Sequence, residues 1–241
     1  MIEQWRSRRY ADIASYTHSG LPPWFQEFAQ SLLRDSMIDL VEALTIDRQP
    51  FARIIDLGCG VGDWTVEWAR LGHSVVGVDV SQSFLDEAAR RGYASSRVRF
   101  ELGDLREHAD FRAGDFVCYG SCLAFVDDAE LEKLFERMAT AQAPRDFVYV
   151  RVNCRHGDRP RHATEDAKYR AVAEYLALFL RHGYELRFME TSLGVVLVRR
   201  LLITLNAAAL SRVHRWFARP LRAARTLLVE GDHYNFLLEK T

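Results

Sequence analysis

Cysteine is scarce in this chain, and its spacing excludes two common structural uses. The 241 residues include four cysteines, namely Cys59, Cys118, Cys122 and Cys154. This density is too low for a disulfide framework. Cys118 and Cys122 also have no second pair or nearby histidine with which to complete a zinc tetrahedron. We therefore expect small buried thiols in a reducing compartment and no metal site.

The chain also has no secretory signal and no long uninterrupted hydrophobic run. Residues 1–16 are polar and charged where a signal peptide has its apolar segment. The most apolar stretch, residues 192–210, contains Arg199 and Arg200. A membrane-spanning helix needs about 20 mostly apolar residues. We therefore expect a cytoplasmic protein without a transmembrane segment.

Net charge is close to zero, which limits the classes of partner. The 32 lysines and arginines nearly balance the 33 acids, for a formal net charge of -1. This balance argues against nucleic-acid binding through the whole surface. Hydrophobic residues make up 49% of the chain, which excludes disorder over most of it.

From residue 51 onward, short apolar runs alternate with helical patterns. This alternation is typical of a doubly wound, mostly parallel sheet with helices on both faces, a Rossmann-like α/β fold. The seven predicted strands are 52–58, 74–80, 97–104, 115–121, 146–153, 184–192 and 233–240. The predicted helices between them are 63–72, 81–92, 127–143 and 165–183.

The segments on either side of this core have a different character. Residues 1–50 show the apolar spacing of helices and are predicted to form a helical cap. Residues 193–232 contain seven arginines and no acid before Glu230, which predicts a basic helical insertion. The prediction is a single domain, in which the core at 51–192 follows the cap and the last strand, 233–241, follows the insertion.

A glycine-rich turn joins the first predicted strand to its helix. Gly58, Gly60 and Gly62 allow a tight turn and a close approach of the backbone to a ligand. Asp79 ends the next strand, where a carboxylate in a doubly wound fold accepts hydrogen bonds from both ribose hydroxyls. The strand, loop, helix and acid together predict a ligand that contains a nucleoside.

Acidic residues around this loop argue against a dinucleotide. The dinucleotide fingerprint has glycine where Asp63 stands here, and Asp56 directly precedes the loop. Two acids would repel a pyrophosphate but suit a ligand that carries an ammonium and a sulfonium. A nicotinamide-dependent oxidoreductase is therefore the weaker alternative.

At these residues the chain resembles the class I S-adenosylmethionine-dependent methyltransferases. Four motifs of that family are matched in order and spacing over roughly residues 50–192. They are Asp56–Gly62, Val78–Ser81, Gly103–Leu105 and Asp115–Ser121. The resemblance implies S-adenosylmethionine as cofactor and S-adenosylhomocysteine as product.

The resemblance also implies which residues contact the cofactor. The backbone at Gly58 and Gly60 would meet the methionine moiety, Asp79 the ribose and Asp104 the adenine amino group. Residues 10–16 resemble a segment that carries an aromatic closing over the cofactor, and Tyr16 is the preferred contact. The full implied set is Tyr16, Asp56, Gly58, Gly60, Asp79, Val80, Asp104, Leu105 and Tyr119.

The acceptor should bind at the carboxyl ends of the strands, where ligands lie in open α/β sheets. The candidates there are Ser121, Cys122, Asn153 and His156. His156 is a candidate proton acceptor near neutral pH. A base is needed only when the acceptor must lose a proton, because the sulfonium supplies the reactivity. No catalytic residue is assigned for this reason.

The acceptor class stays open between a small molecule and a macromolecule. The fourth motif reads Tyr-Gly-Ser-Cys at 119–122, which differs from the signature of enzymes that methylate exocyclic amines of nucleic-acid bases. This favours N- or O-methylation of a small molecule. The basic amphipathic pattern in 193–232 supports the alternative, an RNA or protein methyltransferase. The oligomeric state is not predicted.

Overall fold

The computed structural model describes residue 6 and residues 51–155, 167–191 and 233–241. The predicted basic insertion and, apart from Arg6, the predicted helical cap lie outside the described residues. Tyr16 and His156 lie outside them as well.

Seven strands form one sheet, which confirms the predicted fold class. They are β1 Arg53–Leu57, β2 Val75–Asp79, β3 Val98–Leu102, β4 Asp115–Gly120, β5 Phe147–Asn153, β6 Tyr184–Thr191 and β7 His233–Lys240. The spatial order is β3-β2-β1-β4-β5-β7-β6. Strands β1 to β5 pair in parallel, and β7 is antiparallel to both β5 and β6. The strand order reverses between β1 and β4, so a crevice is expected at their carboxyl ends.

Helices connect the strands in the described part of the chain. They are α1 Asp63–Arg70, α2 Gln82–Arg90, α3 Asp128–Ala141 and α4 Val172–Arg181, with a short 3-10 turn at Leu123–Phe125. The α3 helix begins after Asp127, whose side chain accepts a hydrogen bond from the Glu130 amide, as an N-cap residue does. Among the described residues, no helix is long and apolar enough to cross a membrane.

The α4 helix is shorter than the sequence pattern indicates. The prediction was a helix over 165–183, but α4 begins at Val172, and the described residues ahead of it are not helical. The Arg170 guanidinium donates to the carbonyl of Leu123 at 3.1 Å, and the Arg170 carbonyl accepts from the Arg155 amide at 3.0 Å. These tertiary hydrogen bonds hold the backbone out of the helix, although its apolar spacing favours one.

The sheet divides its side chains between two faces, because neighbours along a strand point in opposite directions. One face packs on α3 and α4 and buries Ile55, Val117, Tyr119, Val150 and Phe236. The other face packs on α1 and buries Ile54, Trp68, Phe116, Cys118 and Tyr149. We call these the α3 face and the α1 face. The strand alternation places Asp56, Asp79, Gly120, Arg151 and Asn153 on the α1 face.

Candidate active site

The glycine loop after β1 has the backbone geometry that requires glycine. Gly58, Gly60 and Gly62 have φ angles of 74°, 58° and 80°, in the left-handed region. A Cβ atom at Gly60 would meet no described residue within 4 Å, so the part of the chain that the structure describes leaves the space in front of it open. A Cβ atom at Gly62 would lie 2.5 Å from the Phe100 ring. Gly60 therefore borders the crevice, whereas Gly62 lets the start of α1 pack against β3.

Cys122 packs behind the loop at Gly58. A Cβ atom at Gly58 would lie 2.7 Å from the Cys122 Cβ, and the Cys122 Sγ donates to the Leu57 carbonyl at 3.2 Å. Burial raises the pKa of the Cys122 thiol, so the sulfur stays protonated and is a poor nucleophile. Its position suits support of the loop, and its predicted role as an acceptor contact stays a prediction.

Asp79 ends β2 with its carboxylate turned towards the loop. Its Oδ2 accepts from the Gly60 amide at 2.8 Å, and its Oδ1 accepts from the Ser81 amide at 2.9 Å. Burial raises the pKa of this carboxyl group. Each carboxylate oxygen can accept more than one hydrogen bond, so both keep capacity for ligand hydroxyls. Val80, the next predicted contact, is partly exposed beside it.

Asp56 is a buried acid directly beneath the loop. Only 4% of its surface is exposed, and Thr65 Oγ1 donates to its Oδ2 at 2.7 Å. Burial outweighs this hydrogen bond and raises the pKa of Asp56 to about 6. The residue therefore changes charge near neutral pH and, when ionised, favours a cationic ligand at the loop.

Asp63 does not disfavour a pyrophosphate in the way that the sequence predicts, because its carboxylate is paired. Its Oδ1 lies 2.6 Å from the Arg91 Nη1 and accepts a hydrogen bond from the Tyr93 hydroxyl at 3.0 Å. The charge of Asp63 is thus balanced by Arg91 and does not repel an anion at the loop. Of the two acids around the glycine loop, Asp56 is therefore the one whose negative charge would disfavour a pyrophosphate.

Asp104 lies just beyond β3, as predicted, but its carboxylate is already engaged. Arg106 binds it from Nη2 at 2.6 Å and from Nε at 3.1 Å, and the Arg106 amide donates to Oδ1 at 2.9 Å. An adenine amino group at this position would have to share the carboxylate with Arg106. The neighbouring Leu105 packs its side chain on the α3-face core.

The Tyr119 side chain faces away from the crevice, so the predicted contact of Tyr119 with the cofactor, which stays a prediction, would be made by its backbone. Tyr119 is 0% exposed on the α3 face, where its ring stacks on Phe135 and its hydroxyl lies 3.5 Å from the Met138 Sδ. The alternation along β4 places Cys118 and Gly120 on the opposite face instead. The tyrosine is therefore part of the hydrophobic core.

Arg151 and Trp64 border the site and were missed by sequence reasoning. The guanidinium carbon of Arg151 lies 4.5 Å from the Trp64 ring centroid, and its Nε donates to Ser121 Oγ at 3.1 Å. Ser121, a predicted acceptor contact, has a φ of 70° and donates its amide to the Arg151 carbonyl at 2.8 Å. The available signal was a single arginine within the otherwise mostly apolar Phe147–Asn153 run.

Asn153 ends β5 on the same face as Arg151. Its Oδ1 is buried and, within the described residues, has no hydrogen-bond partner. The structure thus brings Ser121 and Asn153 to the carboxyl ends of adjacent strands. In the part of the chain that the structure describes, no group of three His, Cys, Asp or Glu side chains could hold a metal ion.

The residues at this crevice fit S-adenosylmethionine. The open space in front of Gly60 leaves room for a ligand against the loop backbone. The Asp79 carboxylate stands at the strand end where ribose hydroxyls bind in doubly wound folds. Asp56 adds a negative charge, when ionised, for a cationic amino-acid moiety.

Sequence comparison relates the chain to known methyltransferases. Residues 54–145 match the family model described as a methyltransferase domain. A 23S rRNA (uracil(1939)-C(5))-methyltransferase from Aromatoleum aromaticum is 32% identical over 114 residues, which cover 45% of this chain and 26% of that protein. Trans-aconitate 2-methyltransferase from Deinococcus radiodurans is 28% identical over 140 residues, covering 57% and 52%. The chain thus spans about a quarter to a half of these curated relatives.

Structural comparison agrees on the fold. Magnesium protoporphyrin IX methyltransferase from Synechocystis PCC 6803, solved with bound S-adenosylmethionine, superposes with a TM-score of 0.63 at 14% identity. The superposition covers 99% of this chain and 94% of that one. Residues 54–145 are thus a methyltransferase domain, and with the motifs and the site geometry these matches support a class I S-adenosylmethionine-dependent methyltransferase. S-adenosylmethionine is the cofactor of this family.

Proposed function

We propose that the chain transfers the methyl group of S-adenosylmethionine to a nitrogen or oxygen of a small-molecule acceptor. The observation that carries this proposal is the arrangement at the switch point between β1 and β4. The described residues leave space in front of Gly60 and Gly120, and in the strand order this space has the Asp79 carboxylate on one side and the polar end of β5 on the other. Cofactor and acceptor can therefore bind side by side.

The chain's own residues would bind and orient the two reactants. The backbone at Gly58 and Gly60 would hold the methionine moiety, Asp79 the ribose and Asp104 the adenine. The bound cofactor supplies an activated methyl group on a sulfonium. The remaining task is to align the acceptor and exclude water, which falls to the groups at the ends of β4 and β5.

The comparisons support a small acceptor more than a macromolecular one. The relative from Deinococcus radiodurans acts on trans-aconitate, and the Synechocystis enzyme acts on magnesium protoporphyrin IX and matches this chain along nearly its whole length. The match to the rRNA methyltransferase covers only 26% of that protein.

An RNA acceptor is the second candidate, because rRNA methyltransferases recur among the relatives. The basic insertion at 193–232 would supply its binding surface. The apolar spacing of that sequence predicts a helical pattern in which four arginines would share one side, namely Arg212, Arg215, Arg219 and Arg222.

Thermal unfolding with S-adenosylhomocysteine, NAD and NADP in parallel tests the cofactor. A ligand at 100 times its Kd stabilises a protein by about 2.7 kcal/mol. We expect this stabilisation with S-adenosylhomocysteine alone. Stabilisation by NAD or NADP without a response to S-adenosylhomocysteine would contradict the proposal.

Filter binding with bulk RNA at two salt concentrations separates the acceptor classes. RNA recruitment through the insertion would be tight and steeply salt-dependent, since phosphate contacts release counterions. We expect weak binding that is unchanged when the four arginines are replaced by glutamine. Tight binding abolished by those substitutions would overturn the small-molecule proposal.

A further inference from the structure

Arg151 is a cation without an acidic partner in the described part of the chain. Its Nε donates to Ser121 Oγ, but its Nη1 is buried and has no hydrogen-bond partner among the described residues. Three other arginines, one buried and two half-buried, each pair with a carboxylate. These pairs are Arg53–Asp115 at 2.8 Å, Arg106–Asp104 at 2.6 Å and Arg170–Asp128 at 2.8 Å.

The surroundings of Arg151 make this unpaired charge costly. A buried cation without a counter-ion loses hydration that the protein does not replace. Burial accordingly lowers the pKa of Arg151. The Trp64 ring at 4.5 Å offsets part of the cost through a cation–π contact and fixes the plane of the guanidinium. The negative charge of Asp56 favours the charged form of Arg151, although the two side chains do not form an ion pair.

Next to Arg151, at Gly120, the described residues leave a space unfilled. Gly120 pairs with Arg151 across β4 and β5, and a Cβ atom at Gly120 would meet none of the described residues within 4 Å. Any side chain at Gly120 would enter this space. The unpartnered Asn153 Oδ1 lies two residues further along the same face of β5. A donor and an acceptor are thus both free at one edge of the crevice.

We propose that Arg151 binds a carboxylate of a ligand in the active site, with Asn153 accepting a hydrogen bond from an N–H or O–H group of the same ligand. The guanidinium has a planar set of N–H donors that matches a carboxylate, and Ser121 and Trp64 already hold it in place. The inference rests on the proposed function. The carboxylate belongs either to the methionine moiety of the cofactor or to the acceptor, and the two sources are distinguished by experiment.

The first arm tests the cofactor carboxylate with Arg151→Gln. Arg99→Gln is the matched control, because it makes the same charge change at an exposed position on β3. Calorimetry compares S-adenosylhomocysteine with 5′-methylthioadenosine, which lacks the amino-acid moiety. If Arg151 binds the cofactor carboxylate, Arg151→Gln weakens S-adenosylhomocysteine about 10-fold or more and leaves 5′-methylthioadenosine unchanged.

The second arm tests the acceptor carboxylate on protein saturated with S-adenosylhomocysteine. The probes are acetate, benzoate and citrate, with acetamide and benzamide as neutral controls. If Arg151 binds the acceptor, at least one carboxylate raises the Tm of the wild type and of Arg99→Gln but not of Arg151→Gln. The amides give no shift. Arg151→Lys keeps the positive charge but lacks the planar set of donors, so it should retain only part of either response. If Arg151→Gln does not fold, Arg151→Lys takes its place in both arms.

A response lost specifically in Arg151→Gln in either arm supports the inference and identifies the source. Equal behaviour of the Arg151 variant and Arg99→Gln in both arms overturns it. Failure of the proposed function is seen separately, because wild-type protein would then bind neither S-adenosylhomocysteine nor 5′-methylthioadenosine. In that case the carboxylate probes, applied to ligand-free protein, still decide whether Arg151 binds an anion.

Discussion

The Asp79 carboxylate accepts a hydrogen bond from the Gly60 amide across 2.8 Å, which joins the end of β2 to the glycine loop. The other carboxylate oxygen accepts from the Ser81 amide and so holds the turn that leads into α2. One acid therefore positions the loop and also borders the crevice in which we expect the ribose.

Replacement of Asp79 by alanine should weaken cofactor binding strongly. Loss of hydrogen bonds to a charged group costs about 1.5–3 kcal/mol, which is roughly 10- to 150-fold in Kd. Calorimetry with S-adenosylhomocysteine measures the change, and Asp86→Ala on the exposed side of α2 is the control. A change of less than twofold in folded Asp79→Ala would contradict the assignment.

Alanine at Gly60 and at Gly62 should separate ligand binding from folding. Both sites have positive φ, so alanine costs about 1–2 kcal/mol of stability at either. At Gly62 the new Cβ also meets the Phe100 ring at 2.5 Å, which adds a packing penalty. We expect Gly62→Ala to lose more free energy of unfolding in urea, and Gly60→Ala to lose more affinity for S-adenosylhomocysteine. Wild-type affinity in Gly60→Ala would mean that the loop is only a turn.

Stability should depend on pH through Asp56. Its pKa is raised from 3.8 to about 6, so the folded state binds this proton more tightly than the unfolded state. Its contribution to stability is therefore fully present below about pH 4 and is lost as pH rises through about 6. The raised pKa of Asp56 corresponds to a loss of roughly 3 kcal/mol of stability over this pH range.

The variant Asp56→Asn should remove this dependence, because the amide has no charge to bury. Urea unfolding between pH 4 and pH 7 measures it. We expect the free energy of unfolding of the variant, relative to wild type, to rise over this range. Parallel pH curves for the two proteins would show that Asp56 does not titrate as described.

Arg170→Met should destabilise the segment that carries Ser121 and Cys122. Arg170 is 4% exposed and donates to the carbonyls of Leu123 at 3.1 Å and Val126 at 2.6 Å. Its removal leaves the Val126 carbonyl without this donor and the Leu123 carbonyl with only the Val126 amide at 3.3 Å, for a loss of about 1–3 kcal/mol.

Lys168→Met is the matched control for this prediction. Lys168 also contacts Asp128, but it is exposed, and exposed ion pairs contribute about 0–1 kcal/mol. Urea denaturation of both variants measures the difference. Similar losses in Arg170→Met and Lys168→Met would contradict the role given to the buried arginine.

The sequence by itself determined the strand and helix alternation, the glycine loop and the acid at the end of β2. These features are local, since a strand shows in a run of apolar residues and a left-handed turn shows in its glycines. The positive φ angles at Gly58, Gly60 and Gly62 follow from that local requirement. Fold class and cofactor class could be predicted for the same reason.

Only the tertiary structure decided which partner each polar side chain meets. Asp63 is neutralised by Arg91, 28 positions away, and Arg170 reaches Leu123, 47 positions away. Alternate side chains of β4 and β5 point to opposite faces of the sheet, which the sequence indicates. The packing of α1 and α3 decides which of the two faces borders the crevice. That packing buries Tyr119 in the core and places Arg151 beside Trp64, because contacts between distant segments outweigh local pattern once the chain is compact.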